Sequence, residues 1–335
     1  MKNNNVFIIA ELSANHNNDY NLAVKTIEAM ASSGADAVKV QTYTPDSLTL
    51  DVDNEYFGPR KEGLWKGRRP YELFQEAAMP YEWQPKLQKV AEDLGLVFFS
   101  SPFDKSGVDF LEEMNVPIYK IASLEITDIP LIEYTASKGK PMIISTGVAE
   151  IDDIELALAA CYKVGNKDVT LLKCTSQYPA TIEQANLKTM VDIKDRFGVK
   201  VGLSDHTMGF IVPVVAVSLG AEVVEKHFVL DRSLGGPDSP FSMEPDEFAE
   251  MVKAVRQAEM ALGKVTYEVS DADKMRRRSL FVTEDIKAGE VITDKNVRSI
   301  RPGHGMHPKY FFKVLGKRAI GFIEKGTKLQ MKDFY

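Results

Sequence analysis

Short, almost continuous apolar runs recur along this chain of 335 residues, with longer amphipathic stretches between them. Runs of this kind are typical of parallel strands covered on both faces, and the stretches between them have the periodicity of surface helices. We predict strands at residues 6–10, 37–41, 97–100, 118–122, 141–145, 169–173, 200–203 and 222–227. Helices are predicted at residues 22–31, 83–94, 151–162 and 246–262, and glycines follow many of the helical stretches.

Polar residues stand at the ends of most of the predicted strands. They are Glu11, Lys39, Gln41, Ser100, Ser101, Lys120, Ser145, Lys173, His206, Glu225 and His227. In a (β/α)8 barrel these strand ends converge on one face, where active sites form, whereas an open sheet would spread them along an edge. The sequence therefore predicts an α/β fold with a (β/α)8 (TIM) barrel.

Two stretches depart from this rhythm. Residues 42–79 form a long insertion after the second strand, which we expect to cover a substrate rather than to be a surface excursion. After a barrel at residues 1–265, residues 266–278 are a polar linker, and residues 279–335 contain short β-like pieces split by turns. This last β-rich domain is close to the lower size limit for independent stability, so we expect it to pack against a barrel, its own or that of a partner subunit.

Charge and composition exclude several classes of protein. A net charge of −7 argues against a nucleic-acid binder. The apolar run at residues 6–10 is too short for a signal peptide or a membrane span, so we expect a cytoplasmic protein with no membrane association. Cys161 and Cys174 are not part of a CxxC pair, and both are predicted to be free thiols.

Lys39 and Lys120 are the clearest candidates for an anion pocket. A lysine at the end of a buried strand is costly unless an anion pairs with it. Serines surround the two lysines in the predicted barrel, namely Ser101, Ser123, Ser145 and Ser204. A phosphate or carboxylate site fits this group. Ion pairs of the lysines to Glu11 and Glu125, or a Schiff-base role for Lys120, are the alternatives.

His206 and His227 end the seventh and eighth predicted strands, and two imidazoles on adjacent strands could bind one metal ion. Two unrelated histidines with local hydrogen bonds are the alternative. Glu11, Glu125 and Glu225 could act as acid, base or partner of a metal-bound water, or could only balance the lysines. Asp238 lies in a flexible loop, where it could cover substrate hydroxyls or simply form a turn.

Ordered motifs along essentially the whole chain resemble the sialic acid synthase family. They are IAELSANH at 9–16, GADAVKVQT at 34–42, YKIAS at 119–123, ISTG at 144–147, CTSQYP at 174–179, GLSDHT at 202–207 and EKHF at 225–228. DIKAGE at 285–290 and RPG at 301–303 resemble the antifreeze-like (SAF) domain of the family. The LSA of the first motif and the QTYTPDSLT at 41–49 resemble the pseudaminic acid synthase branch.

The resemblance implies condensation of phosphoenolpyruvate with an amino-sugar aldose, namely 2,4-diacetamido-2,4,6-trideoxy-L-altrose for this branch. N-acetylmannosamine and the legionaminic acid precursor are alternative acceptors. It also implies a divalent ion on His206 and His227, Mn²⁺ by preference and otherwise Mg²⁺ or Co²⁺. A domain-swapped homodimer is implied, in which the SAF domain covers the barrel of the partner subunit.

Site residues also follow from the resemblance. Phosphoenolpyruvate would be bound by Lys39, Ser101, Lys120, Ser123, Ser145, Ser204 and Ser176, the last standing where the family commonly has Asn. The sugar would be bound by Gln41, Tyr178, Glu225, Asp238 and Arg301. Catalysis would use Glu11, Glu125 and Lys120. The rival functions are a Schiff-base aldolase acting through Lys120 and a sugar-binding or ice-binding protein built around the C-terminal domain.

Overall fold

The computed structural model describes residues 5–335, and its first unit, which ends at Gly263, is a closed barrel of eight parallel strands. The predicted (β/α)8 fold is therefore confirmed. The strands are β1 Phe7–Glu11, β2 Ala37–Thr42, β3 Val97–Pro102, β4 Tyr119–Ile121, β5 Met142–Ser145, β6 Val169–Cys174, β7 Lys200–Asp205 and β8 Val223–His227. Each pairs with its neighbours in sequence, and β8 closes the barrel against β1.

Helices alternate with these strands. They are α1 Tyr20–Ser32, α2 Pro45–Leu48, α3 Pro70–Ala77, α4 Gln84–Asp93, α5 Lys105–Glu113, α6 Ile129–Ala136, α7 Ile151–Lys163, α8 Lys188–Phe197, α9 Ile211–Ser218 and α10 Pro245–Leu262. Aspartate caps begin several of them, as where the Asp19 carboxylate accepts hydrogen bonds from two backbone amides of α1. Gly198 ends α8 with a φ of 64°, a left-handed conformation that glycine adopts without strain.

The main hydrophobic core lies between the strands and the surrounding helices. Strand residues such as Ile8, Val38 and Leu171 are fully buried there, together with helix residues such as Ile27 and Val255. Several strands run one or two residues further than their apolar patterns, and β7 includes the polar pair Ser204 and Asp205. Within residues 5–335, no helix is long and apolar enough to cross a membrane.

The insertion at residues 42–79 begins with the last residue of β2 and contains the two helices α2 and α3, and its remainder has no helix or strand. The carbonyl of Ala77 lies 3.2 Å from Nε2 of His16, and the amide of Asn18 donates to the carbonyl of Glu76 over 2.9 Å. These bonds hold the end of the insertion against the loop that follows β1.

The second unit runs from Lys264 to Tyr335. It contains α11 Asp271–Met275, α12 Phe311–Val314 and an antiparallel pair of strands, β9 Ser279–Val282 and β10 Val297–Ile300. Isolated bridges extend this sheet, and its own apolar core is built on residues such as Leu280, Ile292 and Val314. The β-rich character predicted for this part of the chain is confirmed.

Candidate active site

Strand register brings most of the predicted site residues to the carboxyl end of the barrel. Glu11 at the end of β1 pairs in register with Lys39 on β2 and with His227 on β8. Ser204 on β7 pairs with Glu225 on β8 in the same way. Because side chains alternate along a strand, residues two apart on β7 and β8 share one face. His206 and His227 therefore lie two residues above Ser204 and Glu225.

Lys39 lies in a buried cluster of charges. Its ammonium is ion-paired with Glu11, and it also lies 3.9 Å from Oε2 of Glu225. Its Nζ donates a longer hydrogen bond of 3.4 Å to the Ser101 hydroxyl. The ion-pair alternative for Lys39 is thus realised with Glu11, and a bound anion would have to share or replace that partner.

Lys120 faces the same space from β4. Its Nζ donates to Ser145 over 2.7 Å and to the carbonyl of Ile121 over 3.0 Å, and it lies 3.9 Å from Oε1 of Glu225. Ser204 donates to that same Glu225 oxygen over 3.0 Å. Two lysines, three hydroxyls and two carboxylates therefore surround a space where an anionic substrate could be bound.

The pKa values of the two buried carboxylates, Glu11 and Glu225, are shifted in opposite directions. Burial raises the pKa of Glu11 to about 7, although Lys39 opposes the shift. Burial acts in the same direction on Glu225, but Lys120 and Lys39 outweigh it, so the pKa of Glu225 lies below its ordinary value. Burial lowers the pKa of Lys120. At neutral pH Glu225 is the ionised partner of the lysines, and Glu11 can hold or release a proton.

A second group of hydroxyls lies beside Gly147, in the loop after β5. The Gly147 amide donates to the Ser123 hydroxyl over 2.8 Å. A Cβ at position 147 would lie 2.3 Å from Oγ of Ser176, 2.6 Å from Oγ of Ser123 and 3.2 Å from Sγ of Cys174. Only glycine leaves room at this position, and the hydroxyls of Ser123 and Ser176 lie together beside it.

His206 and His227 lie side by side, with ring centroids 5.2 Å apart. Nδ1 of His206 lies 2.9 Å from the carbonyl of Thr175 and donates to it, and Sγ of Cys174 lies 3.9 Å from the same nitrogen. Burial opposes the charged form of His206, but the neighbouring Cys174 outweighs it, so the pKa of His206 is raised. In the neutral form of the ring, Nε2 is a free acceptor. Nδ1 of His227 is buried and has no hydrogen-bond partner among residues 5–335. Burial, followed by the charges of His206 and Lys39, holds the pKa of His227 well below 6.5, so this ring is neutral.

These two rings fit a metal ion. Metal ligands are neutral imidazoles, so an ion on this pair would bind His206 in its deprotonated form. The bond from His206 to a backbone carbonyl is the outer support that such ligands usually have. The described residues contain no group of three His, Cys, Asp or Glu side chains that could hold a metal. Asp238 comes nearest, with Oδ2 4.0 Å from Nδ1 of His227. Water or substrate would complete the coordination of an ion on this pair.

Asp238 is tied to the loop after β1. Its Oδ2 accepts a hydrogen bond of 2.5 Å from Ser13, and the Gln41 amide donates to the same hydroxyl over 3.0 Å and to Glu11 over 3.2 Å. Gln41 and Asp238, both predicted to bind sugar, thus belong to one network with the candidate base. Burial raises the pKa of Asp238, and the bond from Ser13 opposes the shift.

Aromatic rings surround the histidine pair. Tyr178 packs against His206 with centroids 4.5 Å apart and against Phe241 at 5.0 Å. Trp65, from the insertion, packs on Tyr178 at 5.7 Å, and its indole donates to the carbonyl of Pro237 over 3.0 Å. The insertion therefore reaches the loop after β8 that carries Asp238.

Glu125 and Arg301 are the remaining predicted site residues. Glu125 lies in the turn after β4, with Oε2 buried and no hydrogen-bond partner among the described atoms, and burial raises its pKa to about 7. An ion pair of a lysine with Glu125, one of the alternatives for the lysines, is not formed among the described residues, although Lys120 lowers the pKa of Glu125 through space. Arg301 lies in the second unit, after β10, and is exposed.

Sequence reasoning missed several members of the site. Ser13 appears in the sequence only as part of the motif IAELSANH, yet it joins Gln41 to Asp238. Its place two residues after Glu11, in a strand-end motif, was the available signal. Phe241 and Trp65 were not singled out as site residues, because an aromatic in a loop has no pattern that separates packing from function. Cys174 was interpreted only as a free thiol, which it is.

Comparison with known proteins shows the family of this chain. The NeuB family model matches residues 26–267, and the SAF domain model matches residues 277–334. The chain is 48% identical over 332 residues to the pseudaminic acid synthase of Campylobacter jejuni (strain 81-176), covering 98% of this chain and 96% of that protein. It is 46% identical to the pseudaminic acid synthase of Helicobacter pylori, covering 97% of each.

Among solved structures, the crystal structure of the N-acetylneuraminic acid synthetase of Leptospira borgpetersenii, in complex with citrate, matches with a TM-score of 0.71. The two chains are 34% identical, and the match covers 81% of this chain and 90% of the other. The identity to the two pseudaminic acid synthases is therefore higher, and it extends over nearly the full chain.

Proposed function

Because the chain belongs to the NeuB family, we propose that it condenses phosphoenolpyruvate with 2,4-diacetamido-2,4,6-trideoxy-L-altrose and water, giving pseudaminic acid and phosphate. The observation that carries this proposal is the cluster of Lys39, Lys120, Glu11 and Glu225 on the same strand ends as the His206–His227 pair, with Glu11 in register with His227. An anion site could bind the enol phosphate, and the neighbouring candidate metal site could bind the aldehyde, so the two substrates would be adjacent.

The lysines and serines hold phosphoenolpyruvate in this mechanism. Lys39 and Lys120 pair with its phosphate and carboxylate, and hydroxyls donate the remaining hydrogen bonds, from Ser101, Ser123, Ser145, Ser176 and Ser204. Two buried ammonium groups are well suited to a substrate that carries two anionic groups. Binding of the substrate would displace Glu11 from Lys39, which frees Glu11 for proton transfer.

The enol carbon of phosphoenolpyruvate attacks the aldehyde carbon of the open-chain sugar. Positive charge develops at the carbon that bears phosphate, water adds there, and the tetrahedral intermediate expels phosphate by cleavage of its C–O bond. Glu11 and Glu125 are the candidate proton carriers, since burial raises the pKa of each to about 7, near the working pH of such a group.

Members of the family generally depend on a metal. His206 and His227 would hold it here, with Mn²⁺ as the proposed ion and Mg²⁺ or Co²⁺ as alternatives, and it would supply a Lewis acid for the aldehyde oxygen. Gln41, Tyr178, Glu225 and Asp238 would orient the sugar from the barrel side. In a domain-swapped homodimer, Arg301 of the SAF domain would cover the site of the partner subunit.

Domain limits and location are part of the same proposal. We assign residues 1–265 to the catalytic barrel, 266–278 to a linker and 279–335 to the SAF domain. A cytoplasmic location is supported by the two free cysteines, which are typical of a reducing compartment.

An acceptor panel tests the proposal. The protein is assayed with phosphoenolpyruvate and Mn²⁺ against 2,4-diacetamido-2,4,6-trideoxy-L-altrose, N-acetylmannosamine and the legionaminic acid precursor, and kcat/KM is compared. The altrose should be preferred. Phosphoenolpyruvate labelled with ¹⁸O at the bridging position should release labelled phosphate. A preference for another sugar would change the acceptor, and a label retained in the nonulosonic acid would refute C–O cleavage.

A further inference from the structure

An ion pair lies behind the two histidines and takes no part in the proposed reaction. Nζ of Lys226 lies 2.6 Å from Oδ2 of Asp205, and the two side chains are only 1% and 2% exposed. Asp205 and Lys226 pair in register on β7 and β8, each immediately before one of the histidines. Because side chains alternate along a strand, the pair faces the helix layer while the histidines face the barrel mouth.

The pair also holds the backbone after His206. The Thr207 amide donates to Oδ1 of Asp205 over 3.0 Å, and its hydroxyl donates to Oδ2 over 3.1 Å. The ammonium of Lys226 donates to the Thr207 carbonyl as well. These bonds involve Asp205 and Thr207, the residues on either side of His206. The position of the His206 ring therefore depends on them.

Stability alone does not explain charges at this place. One step down the same strands, Leu203 and Val224 pair in register on the same side and are almost completely buried apolar residues. The neighbouring positions on this side of β7 and β8 are therefore apolar. Well-packed apolar residues are often as stabilising as a buried ion pair, because removing two charges from water offsets most of their attraction. A directional bond between two strand ends is what the charged pair adds.

We propose that Asp205 and Lys226 are positioning residues, which set the distance and orientation of His206 and His227 for the divalent ion. The proposal rests on the metal site of the proposed function. The ion pair fixes the end of β7 against the end of β8, and the bonds to Thr207 fix the turn through which His206 is presented. With the pair removed, the two imidazoles would be free to spread from the 5.2 Å separation of their centroids.

The decisive variant removes both charges together. A single substitution leaves one buried charge without a partner and can unfold the chain for that reason alone. The double variant Asp205→Asn and Lys226→Met keeps similar volumes, and Asn can still accept the bond from the Thr207 amide. It is compared with wild type by three measurements: thermal unfolding of the metal-free protein, titration of Mn²⁺ by calorimetry, and the visible absorption spectrum of the Co²⁺ form.

We expect the metal-free double variant to unfold within about 4 °C of wild type, since the charges contribute little net stability. Its Kd for Mn²⁺ should rise about 10- to 100-fold, as is usual when an outer support of a metal ligand is lost. The Co²⁺ spectrum should change in band position or intensity, because the ligand geometry changes. Activity should be partly recovered at saturating Mn²⁺.

A matched control is available in the same unit. Arg256 on α10 forms an ion pair with Asp36 over 2.7 Å, before the start of β2 and thus at the opposite end of the barrel. Arg256→Met should lower the unfolding temperature and leave the Mn²⁺ affinity and Co²⁺ spectrum unchanged. This separates a general loss of stability from a loss of positioning.

Two outcomes would overturn the proposal, and they are distinguishable. If the double variant binds Mn²⁺ with wild-type affinity and an unchanged Co²⁺ spectrum, the pair has no positioning role, and the proposed function stands. If wild type itself binds no divalent ion, the metal site of the proposed function is refuted, and the positioning role with it.

Discussion

The hydroxyl of Ser13 lies 2.5 Å from Oδ2 of Asp238, and this hydrogen bond joins two loops that are 225 residues apart in the chain. One loop follows the first strand of the barrel and the other follows the last. Because Gln41 donates to the same hydroxyl, Ser13 connects the residues that we expect to bind the sugar. A largely buried carboxylate held in this way has a defined orientation before substrate binds.

Replacing Ser13 by Ala should raise the KM for the sugar by about 10-fold and leave the KM for phosphoenolpyruvate unchanged, since a hydrogen bond to a charged group is lost. Ser13 has a φ of 46°, so Ser13→Gly is the matched variant that removes the hydroxyl and relieves the strained backbone. Both variants should show the same rise in KM, measured by initial rates. A rise seen only in the alanine variant would point to backbone strain instead.

His206→Ala and His227→Ala should each lose bound metal and at least about 100-fold in turnover, because a Lewis acid contributes several kcal/mol to the transition state. Metal content is measured by elemental analysis and folding by circular dichroism. His16, which lies outside the pair, provides a control as His16→Gln, with metal content expected to stay at the wild-type level. Full turnover by chelated, metal-free wild type would contradict the prediction.

No covalent adduct should form on Lys120, because this lysine is expected to pair with an anion. Its lowered pKa is also a property of Schiff-base lysines, so the test separates two real alternatives. Intact mass spectrometry after borohydride treatment with both substrates should show an unmodified chain. Lys120→Arg should keep some phosphoenolpyruvate binding if charge is what matters. A reduced adduct would instead support the aldolase mechanism.

Glu125 should make the protein less stable as pH rises. Burial raises its pKa from 4.5 to about 7, so between these values the folded state keeps a proton that the unfolded state has lost. The stability that this proton provides declines as pH rises from about 4.5 to about 7. Glu125→Gln should raise the free energy of unfolding at pH 8 by about 1–3 kcal/mol and have little effect at pH 4.5. Urea unfolding at both pH values checks this, and an equal effect at both would refute it.

Arg301→Ala should raise the KM for the sugar much more than that for phosphoenolpyruvate, because a planar guanidinium suits a sugar amide carbonyl. Deleting residues from Lys274 onward should abolish activity and leave the barrel folded. Lys309→Ala, in the same domain, is the surface control. If Arg301→Ala leaves the KM for the sugar unchanged, or if the truncated barrel is fully active, the SAF domain does not take part in sugar binding. Its role would then be to stabilise or dimerise the protein.

A mixed dimer tests the proposed domain swap. One chain carries Arg301→Ala and the other carries His206→Ala. If the domains swap, one site collects both lesions and the other is intact, so about half of wild-type activity per dimer returns. If each domain covers its own barrel, every site has one lesion and activity stays low.

The barrel and most of its strand ends were predictable from local pattern. Apolar runs of strand length with glycines at the helix ends fix the element order, and polar residues at the run ends fix which face carries the chemistry. The ends themselves were less accurate. β7 was predicted to end at Leu203, yet it continues through Asp205, because a charge paired across the sheet with Lys226 is buried as completely as an apolar residue.

The sequence by itself determined the fold class, the family and the kinds of side chain available to the reaction, because these depend on periodicity and on motifs of adjacent residues. Only the tertiary structure decided which groups are partners. It joined Lys39 to Glu11 rather than leaving it free, left Glu125 without a lysine, and linked Ser13 to Asp238. Such pairings depend on strand register and loop paths between residues far apart in the chain, and no local pattern encodes those distances.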